Sequence, residues 1–411
     1  MARPWGRLVA VADILASGRP DNSQRRRRPP GWLLLLVVAA LLVGLQAWRE
    51  RAPEPEAGAS PAPSATLTPQ PSESGGPTGV PARFRLDGRV GVGPAGVRLL
   101  VGGASPVIVD AGTGRAAPLP GVPQLAAGQT VRLSRLSAAT VAVVTDQDYR
   151  PVEAFVLPDA GGTFSVGPAE GVVQAVDGGL LAYDSGSNGR PGWLASLGAR
   201  GQVRWRRPLS LLTLVLGDTP HGLLVESAPN PERGGALGLV DARTGRLRRG
   251  LGQAQYVLAS TPEAVAWVPA GCADQCQLMV TSLADGRSRR YDTPDYRLPG
   301  YAAFSPDQRR LALSFYGLHD FLPGLDRDGF VAQLDLRSGT MQTIPGLTTE
   351  AKSAAALAWS STGTWLALGV RTPGPDYHDR LVLWRPSEAG LTVLPPLLPP
   401  ESAAAGLIVL S

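Results

Sequence analysis

The feature that most constrains this chain is a strand–turn–strand unit that recurs along its length. Residues 107–119 read VIVDAGTGRAAPL and residues 238–250 read GLVDARTGRLRRG. Looser copies are FVLPDAGGTFSV, ASLGARGQVRWRRPL, VTSLADGRSRRY, AQLDLRSGTMQTI and VLWRPSEAGLTVL. Their turn glycines are Gly114, Gly161, Gly201, Gly245, Gly286, Gly339 and Gly390, at intervals of 47, 40, 44, 41, 53 and 51 residues. Glycine supplies a left-handed backbone position in a tight turn, and an aspartate such as Asp110 or Asp241 caps the turn's N–H groups. Both residue types are therefore expected to be structural.

Between the turns, short apolar runs such as VRLLV (97–101), TVAVV (140–144), GLLVE (222–226) and RLALSF (310–315) are each bounded by Gly, Pro, Asp or Ser, and no helix is predicted beyond Arg83. Strand-length runs separated by turn formers indicate an all-β domain. A period of 40–50 residues with four strands per unit predicts a β-propeller over residues 83–411, with seven blades, within one either way. GLIVLS (406–411) and ARFRL (82–86) are the two segments apolar enough to seal the ring.

Two stretches carry a resemblance to known families. YAAFSPDQRRLALSF (301–315) looks like the first two strands of a WD-repeat-like or TolB-type blade, and AALAWSSTGTWLALGV (355–370) with RLVLW (380–384) looks like the next one. The D-x-x-T-G-R turns resemble quinoprotein-type repeats, in which Gly201 with Trp205 matches a docking tryptophan. The TolB-type resemblance implies a periplasmic interaction module. It carries over no catalytic or cofactor residue.

The N-terminal region has a different character. Residues 31–48, GWLLLLVVAALLVGLQAW, hold no charge and as a helix span about 27 Å, close to the hydrocarbon thickness of a bilayer. Trp32 and Trp48 stand at its ends, and Arg25 to Arg28 precede it. Aromatic flanks and a positive cytoplasmic side predict a single-pass anchor with residues 1–30 inside and the remainder outside the cytoplasm, in the cell membrane. The competing reading is a cleavable signal peptide ending near Ala47. Residues 49–82 are proline-rich with few large apolar side chains, which predicts an extended linker. Residues 1–51 hold nine arginines against Asp13, Asp21 and Glu50, so the rest of the chain is close to neutral. Nucleic-acid binding needs its positive excess on the folded domain, and is not expected here.

Candidate chemistry is sparse. Cys272 and Cys276 are the only cysteines, and outside the cytoplasm so close a pair favours a disulfide over a metal or redox site. His319-Asp320 and His378-Asp379 are expected in loops after the second strands of successive blades, where Tyr316, Phe321 and Tyr377 add aromatic character. These seven residues form the expected binding rim for an envelope protein or glycan. Asp326-Arg327-Asp328-Gly329 reads as a hairpin turn and the pair Asp146 and Asp148 as a weaker signal still; no Walker loop, nucleophile elbow or zinc-binding helix is present. The sequence therefore predicts no catalytic residue, metal or cofactor, and a non-enzymatic scaffold or sensor. The alternative is a hydrolase or oxidoreductase of the same fold.

Overall fold

The computed structural model describes residues 84–186, 190–210, 212–227, 234–271, 276–294, 297–317, 329–349, 355–372, 378–398 and 406–410. The predicted anchor and linker lie outside them, as do His319, Asp320, Phe321, Asp326, Tyr377 and Cys272. No helix occurs among the described residues.

The strands run β1 (Arg85–Leu86), β2 (Gly88–Val90), β3 (Arg98–Val101), β4 (Val107–Asp110) and β5 (Arg115–Pro118). One meander follows in β6 (Thr130–Arg135), β7 (Ala139–Thr145), β8 (Pro151–Pro158) and β9 (Phe164–Gly167). The next is β10 (Gly171–Gln174), β11 (Leu180–Asp184), β12 (Gly192–Leu197) and β13 (Val203–Leu209). Then come β14 (Thr213–Thr219), β15 (Gly222–Ser227), β16 (Gly235–Val240) and the long β17 (Leu247–Ser260). β17 continues into β18 (Ala264–Pro269), β19 (Gln277–Ser282) and β20 (Ser288–Asp292). The last meanders are β21 (Arg297–Phe304), β22 (Arg310–Gly317), β23 (Gly329–Asp335) and β24 (Met341–Thr349), then β25 (Ala356–Trp359), β26 (Leu366–Thr372), β27 (His378–Trp384) and β28 (Leu391–Val393). β29 (Leu407–Leu410) ends the described chain.

These strands form six sheets. The seven-stranded one contains two meanders that share β17, whose first half is the fourth strand of one and whose second half is the first strand of the next. Middle strands are covered on both faces, so they read as continuous apolar runs; all seven residues of β7 are buried. Fourth strands lie at the outside, and all four residues of β5 are exposed.

The meanders pack in a closed cycle of apolar seams. Leu100 and Ile408 meet Val131 and Ala142; Val141 and Val156 meet Ala182 and Ala195; Leu181 and Leu194 meet Leu223 and Val225. Leu224 and Leu239 meet Val265 and Trp267, and Ala266 and Leu278 meet Leu311 and Phe315. Ala312 and Val331 meet Leu368 and Val382, and Ala367 and Leu383 meet Leu99 and Val109, which completes the circuit. β29 closes it out of sequence order by hydrogen bonds: it pairs antiparallel with β3, Leu407 opposite Val101, and packs against both β25 and β6. Of the two segments expected to seal the ring, only the C-terminal one does so. Residues 85–86 instead pair with the outside strand β24, and β2 pairs in parallel with β28, so the chain straps the outer edges of the last two meanders before beginning its own first sheet.

The repeated turn behaves as its chemistry requires. The Asp241 carboxylate accepts from the Thr244 N–H at 2.8 Å and the Arg243 N–H at 3.1 Å, and Asp335 accepts from Ser338 and Arg337 in the same way. Gly114, Gly245, Gly286 and Gly339 take φ from 63° to 80°. Gly390 is not among the positive-φ glycines; its turn is held by the Glu388 N–H to the Arg385 carbonyl. Gly201 lies against the Phe164 ring of the preceding meander, while Trp205 packs across the following seam.

Candidate functional site

The antiparallel order places two sets of short turns at one end of the sheets: first strand to second, and third to fourth. This turn end is bonded from meander to meander. The Ser137 hydroxyl meets Gln174 at 3.1 Å, the Val176 N–H donates to Asp218 at 3.0 Å, and the Ser260 hydroxyl donates to the Leu216 carbonyl at 3.0 Å. The Thr261 hydroxyl donates to Gln308 at 3.2 Å, and Arg310 donates to the Gly363 carbonyl at 3.2 Å. Nearer the periphery, Arg207, Arg249 and Arg289 each reach onto the glycine turn of the next meander. Arg249 donates to the Leu283 and Ala284 carbonyls, both at 3.0 Å, across Gly286, where a Cβ would lie 3.0 Å from its own Cδ.

Inside this laced end lies a cavity of about 650 Å³, walled by β6, β10, β14 and the end of β17, the inner strands of four successive meanders. Its lining mixes apolar side chains such as Val172, Val215 and Leu216, which predominate, with the polar groups of Arg132, Glu170, Gln174, Tyr183, Asp218 and Thr261. Arg132 donates to the Glu170 carbonyl at 3.0 Å, and the Glu170 carboxylate accepts from the Ser185 N–H at 3.0 Å. Burial, then the neighbouring Glu170 charge, hold the Tyr183 hydroxyl above its ordinary range. Burial also pushes the Asp218 carboxyl up, against the pull of N–H donors from Val176 and Thr219. A recess of this size, with polar groups set among apolar walls, has room for a small ligand. Among the described residues no group of three acidic, histidine or cysteine side chains could hold a metal ion.

The expected rim is only partly visible. Tyr316 lies in β22, half-buried, its hydroxyl raised by burial and then by Tyr301. His378 and Asp379 are not in a loop: both belong to β27, opposite Thr372 and Arg371. Asp379 is buried, 7% exposed, and ion-paired with Arg371 at 3.3 Å, so a strand pairing takes up the charge expected at a loop tip. The Asp146 carboxylate caps the Asp148 and Arg150 N–H groups within its own turn. The cavity residues lie on four strands spread over 130 residues, so no local spacing in the sequence links them.

No protein-family model matches the sequence, and curated proteins offer no significant match. Solved structures do resemble it. The periplasmic gluconolactonase of Pseudomonas aeruginosa aligns at 12% identity over 77% of this chain and 99% of its own, with a TM-score of 0.50. TolB from Acinetobacter baumannii aligns at 13% identity over 79% and 82%, with a TM-score of 0.42. A Mycobacterium tuberculosis puromycin-hydrolyzing peptidase aligns at 14% over 77% of this chain and 54% of its own, with a TM-score of 0.47, so the chain spans about half of that enzyme. The fold is a β-propeller. One consequence corrects the sequence reading: a gluconolactonase is an enzyme carried on this same propeller, so the expectation of a non-enzymatic protein does not stand.

Proposed function

We propose that this propeller has seven blades, is tethered to the outer face of a cell membrane by residues 31–48 through the linker 49–82, and takes a small polar ligand, a sugar or short glycan, into its axial cavity. The seven seams and the double use of β17 support the blade number. One observation carries the ligand reading: the inner strands of four successive meanders converge Arg132, Gln174, Asp218 and Thr261 on one recess of about 650 Å³. Such mixed donors and acceptors suit hydroxyl groups. The test is thermal-shift and calorimetric titration of the full chain in neutral detergent against a panel of sugars, sugar acids and short glycans. A hit that survives both Arg132→Met and Asp218→Asn sinks the assignment of the cavity.

A second reading rests on Asp218. A carboxyl whose hold on its proton is strengthened by burial, set in the wall of this recess, is a candidate general acid, which suits a hydrolase for a lactone or glycoside. Hydrolysis of gluconolactone by the full chain, lost in Asp218→Asn with binding retained, is the outcome that distinguishes catalysis from capture. The expected rim residues Tyr316, His319, Asp320, Phe321, Tyr377 and His378 are a second candidate surface, for an envelope protein; Asp379, buried against Arg371, is left out of it. Replacing the three aromatic residues by alanine should abolish crosslinking to that partner in intact cells, and unchanged crosslinking removes the surface from consideration.

A further inference from the structure

The strand–turn–strand units differ in one respect that folding does not require. The segment running from the glycine turn into the fourth strand is close to neutral in four of them, with Arg115, Arg337 and Arg385 as their only arginines. In the other three, which are consecutive, arginine accumulates. Residues 199–209 hold Arg200, Arg204, Arg206 and Arg207 with no acid. Residues 241–249 hold Arg243, Arg246, Arg248 and Arg249 against Asp241 alone, and residues 285–292 hold Arg287, Arg289 and Arg290 against Asp285 and Asp292. The chain beyond residue 51 is near neutral as a whole, so this concentration stands out against a net-acidic remainder.

Structural duty accounts for only some of these side chains. Arg207, Arg249 and Arg289 are the three that latch onto the next turn. Arg248 pairs with Asp241, Arg287 with Asp285 at 3.5 Å, and Arg206 lies 4.3 Å over the Trp193 ring. Arg200, Arg204, Arg243, Arg246 and Arg290 are exposed and make no ion pair among the described residues. Val203, 60% exposed, and Leu247, 44% exposed, interleave with them as apolar contact points.

We propose that this arginine belt on the outer edge of three successive blades is a docking surface for a linear anionic glycan. Guanidinium forks match carboxylates in bidentate pairs, and Val203 and Leu247 suit the apolar faces of sugar rings. The occupant follows from shape. The outer strands β13, β17 and β20 fan apart around the propeller axis, so their edges trace a convex arc. A flexible glycan can follow that arc. A DNA duplex, stiff over roughly 150 base pairs, meets a convex wall at a single blade, and so does a flat bilayer.

The experiment uses the full chain in neutral detergent with polygalacturonate as probe. Binding is expected at about 50 mM salt and should fade steeply as salt rises, because exposed charges are screened within a Debye length. Reversal of four unpaired positions together, Arg204→Glu, Arg243→Glu, Arg246→Glu and Arg290→Glu, should weaken it by about tenfold or more. Arg115→Glu with Arg337→Glu should leave it unchanged. Should the reversed chain fail to melt cooperatively, the four glutamine substitutions take its place with the same readout. Absence of binding at low salt, an unaltered Kd in the fourfold variant, or tighter binding to duplex DNA or phosphatidylglycerol vesicles than to polygalacturonate would each overturn the proposal.

Discussion

Removal of the last strand is the sharpest perturbation of this fold. Leu407, Ile408 and Val409 are 8%, 5% and 6% exposed, and they divide between two seams: Leu407 and Val409 enter the last one, Ile408 the first. At ~1.5–3 kcal/mol per buried aliphatic side chain, deleting residues 406–411 forfeits about 5–9 kcal/mol before any hydrogen bond to β3 is counted. That compares with total stabilities of roughly 5–15 kcal/mol. With an unfolding entropy of ~2.1 cal/mol/K per residue over this domain, the loss corresponds to a fall in Tm of about 7–13 °C. Differential scanning calorimetry of the full chain in detergent, with and without the six residues, measures it. Gly406→Ala tests the same closure without truncation: at φ 143° its Cβ would lie 2.7 Å from the Leu133 nitrogen of the neighbouring blade. A shift below about 2 °C in both variants, with cooperativity intact, would mean that β29 rests on a ring that is already closed without it.

Three further outcomes are expected. Arg249→Met removes two donors to backbone carbonyls of the next blade and should cost about 1–2 kcal/mol, read from the urea midpoint. Glu226 is 4% exposed and its carboxyl is raised by burial alone, so its folded form holds a proton more tightly than the unfolded chain does. Stability is therefore lost as pH climbs from about 4 through that raised value, and Glu226→Gln should gain about 1 kcal/mol at pH 7 and nothing near pH 4; equal gains at both would refute the burial argument. The disulfide expected from the sequence between Cys272 and Cys276 is checked by mass: the purified chain should be 2 Da lighter than its reduced form, and two freely alkylated thiols would dismiss it.

Local chemistry was the legible part of this sequence. Asp110, Asp241 and Asp335 cap turns whose residues are all neighbours, so spacing alone reveals them. The period revealed the meanders because each contributes one such turn. What stayed hidden depends on pairs distant in sequence. Arg249 reads as one more surface arginine until Leu283 is placed beneath it. Asp379 reads as a loop tip because histidine and aspartate after a proline-rich run suggest a turn, whereas register with Arg371 draws it into β27. The parallel pairing of β2 with β28 had no signal in three residues, Gly-Arg-Val.

The cavity and the seam beside it are built from the same atom, and that makes them separable by experiment. Asp218 accepts from the Val176 N–H of the preceding blade while its carboxyl stands in the cavity wall. Asparagine keeps an oxygen to accept that N–H but carries no acid proton, whereas alanine removes both roles. If the residue serves only to lock adjacent blades, Asp218→Asn should behave as the native chain in melting and in ligand titration, and only Asp218→Ala should suffer, by about 0.5–1.5 kcal/mol for the lost hydrogen bond. If it contacts a ligand as an acid, Asp218→Asn should melt normally and yet lose binding or turnover. A rigid, cross-bonded wall is what allows that comparison: the other bonds of the turn end, from Ser137 to Arg310, hold the strands in place while one side chain changes.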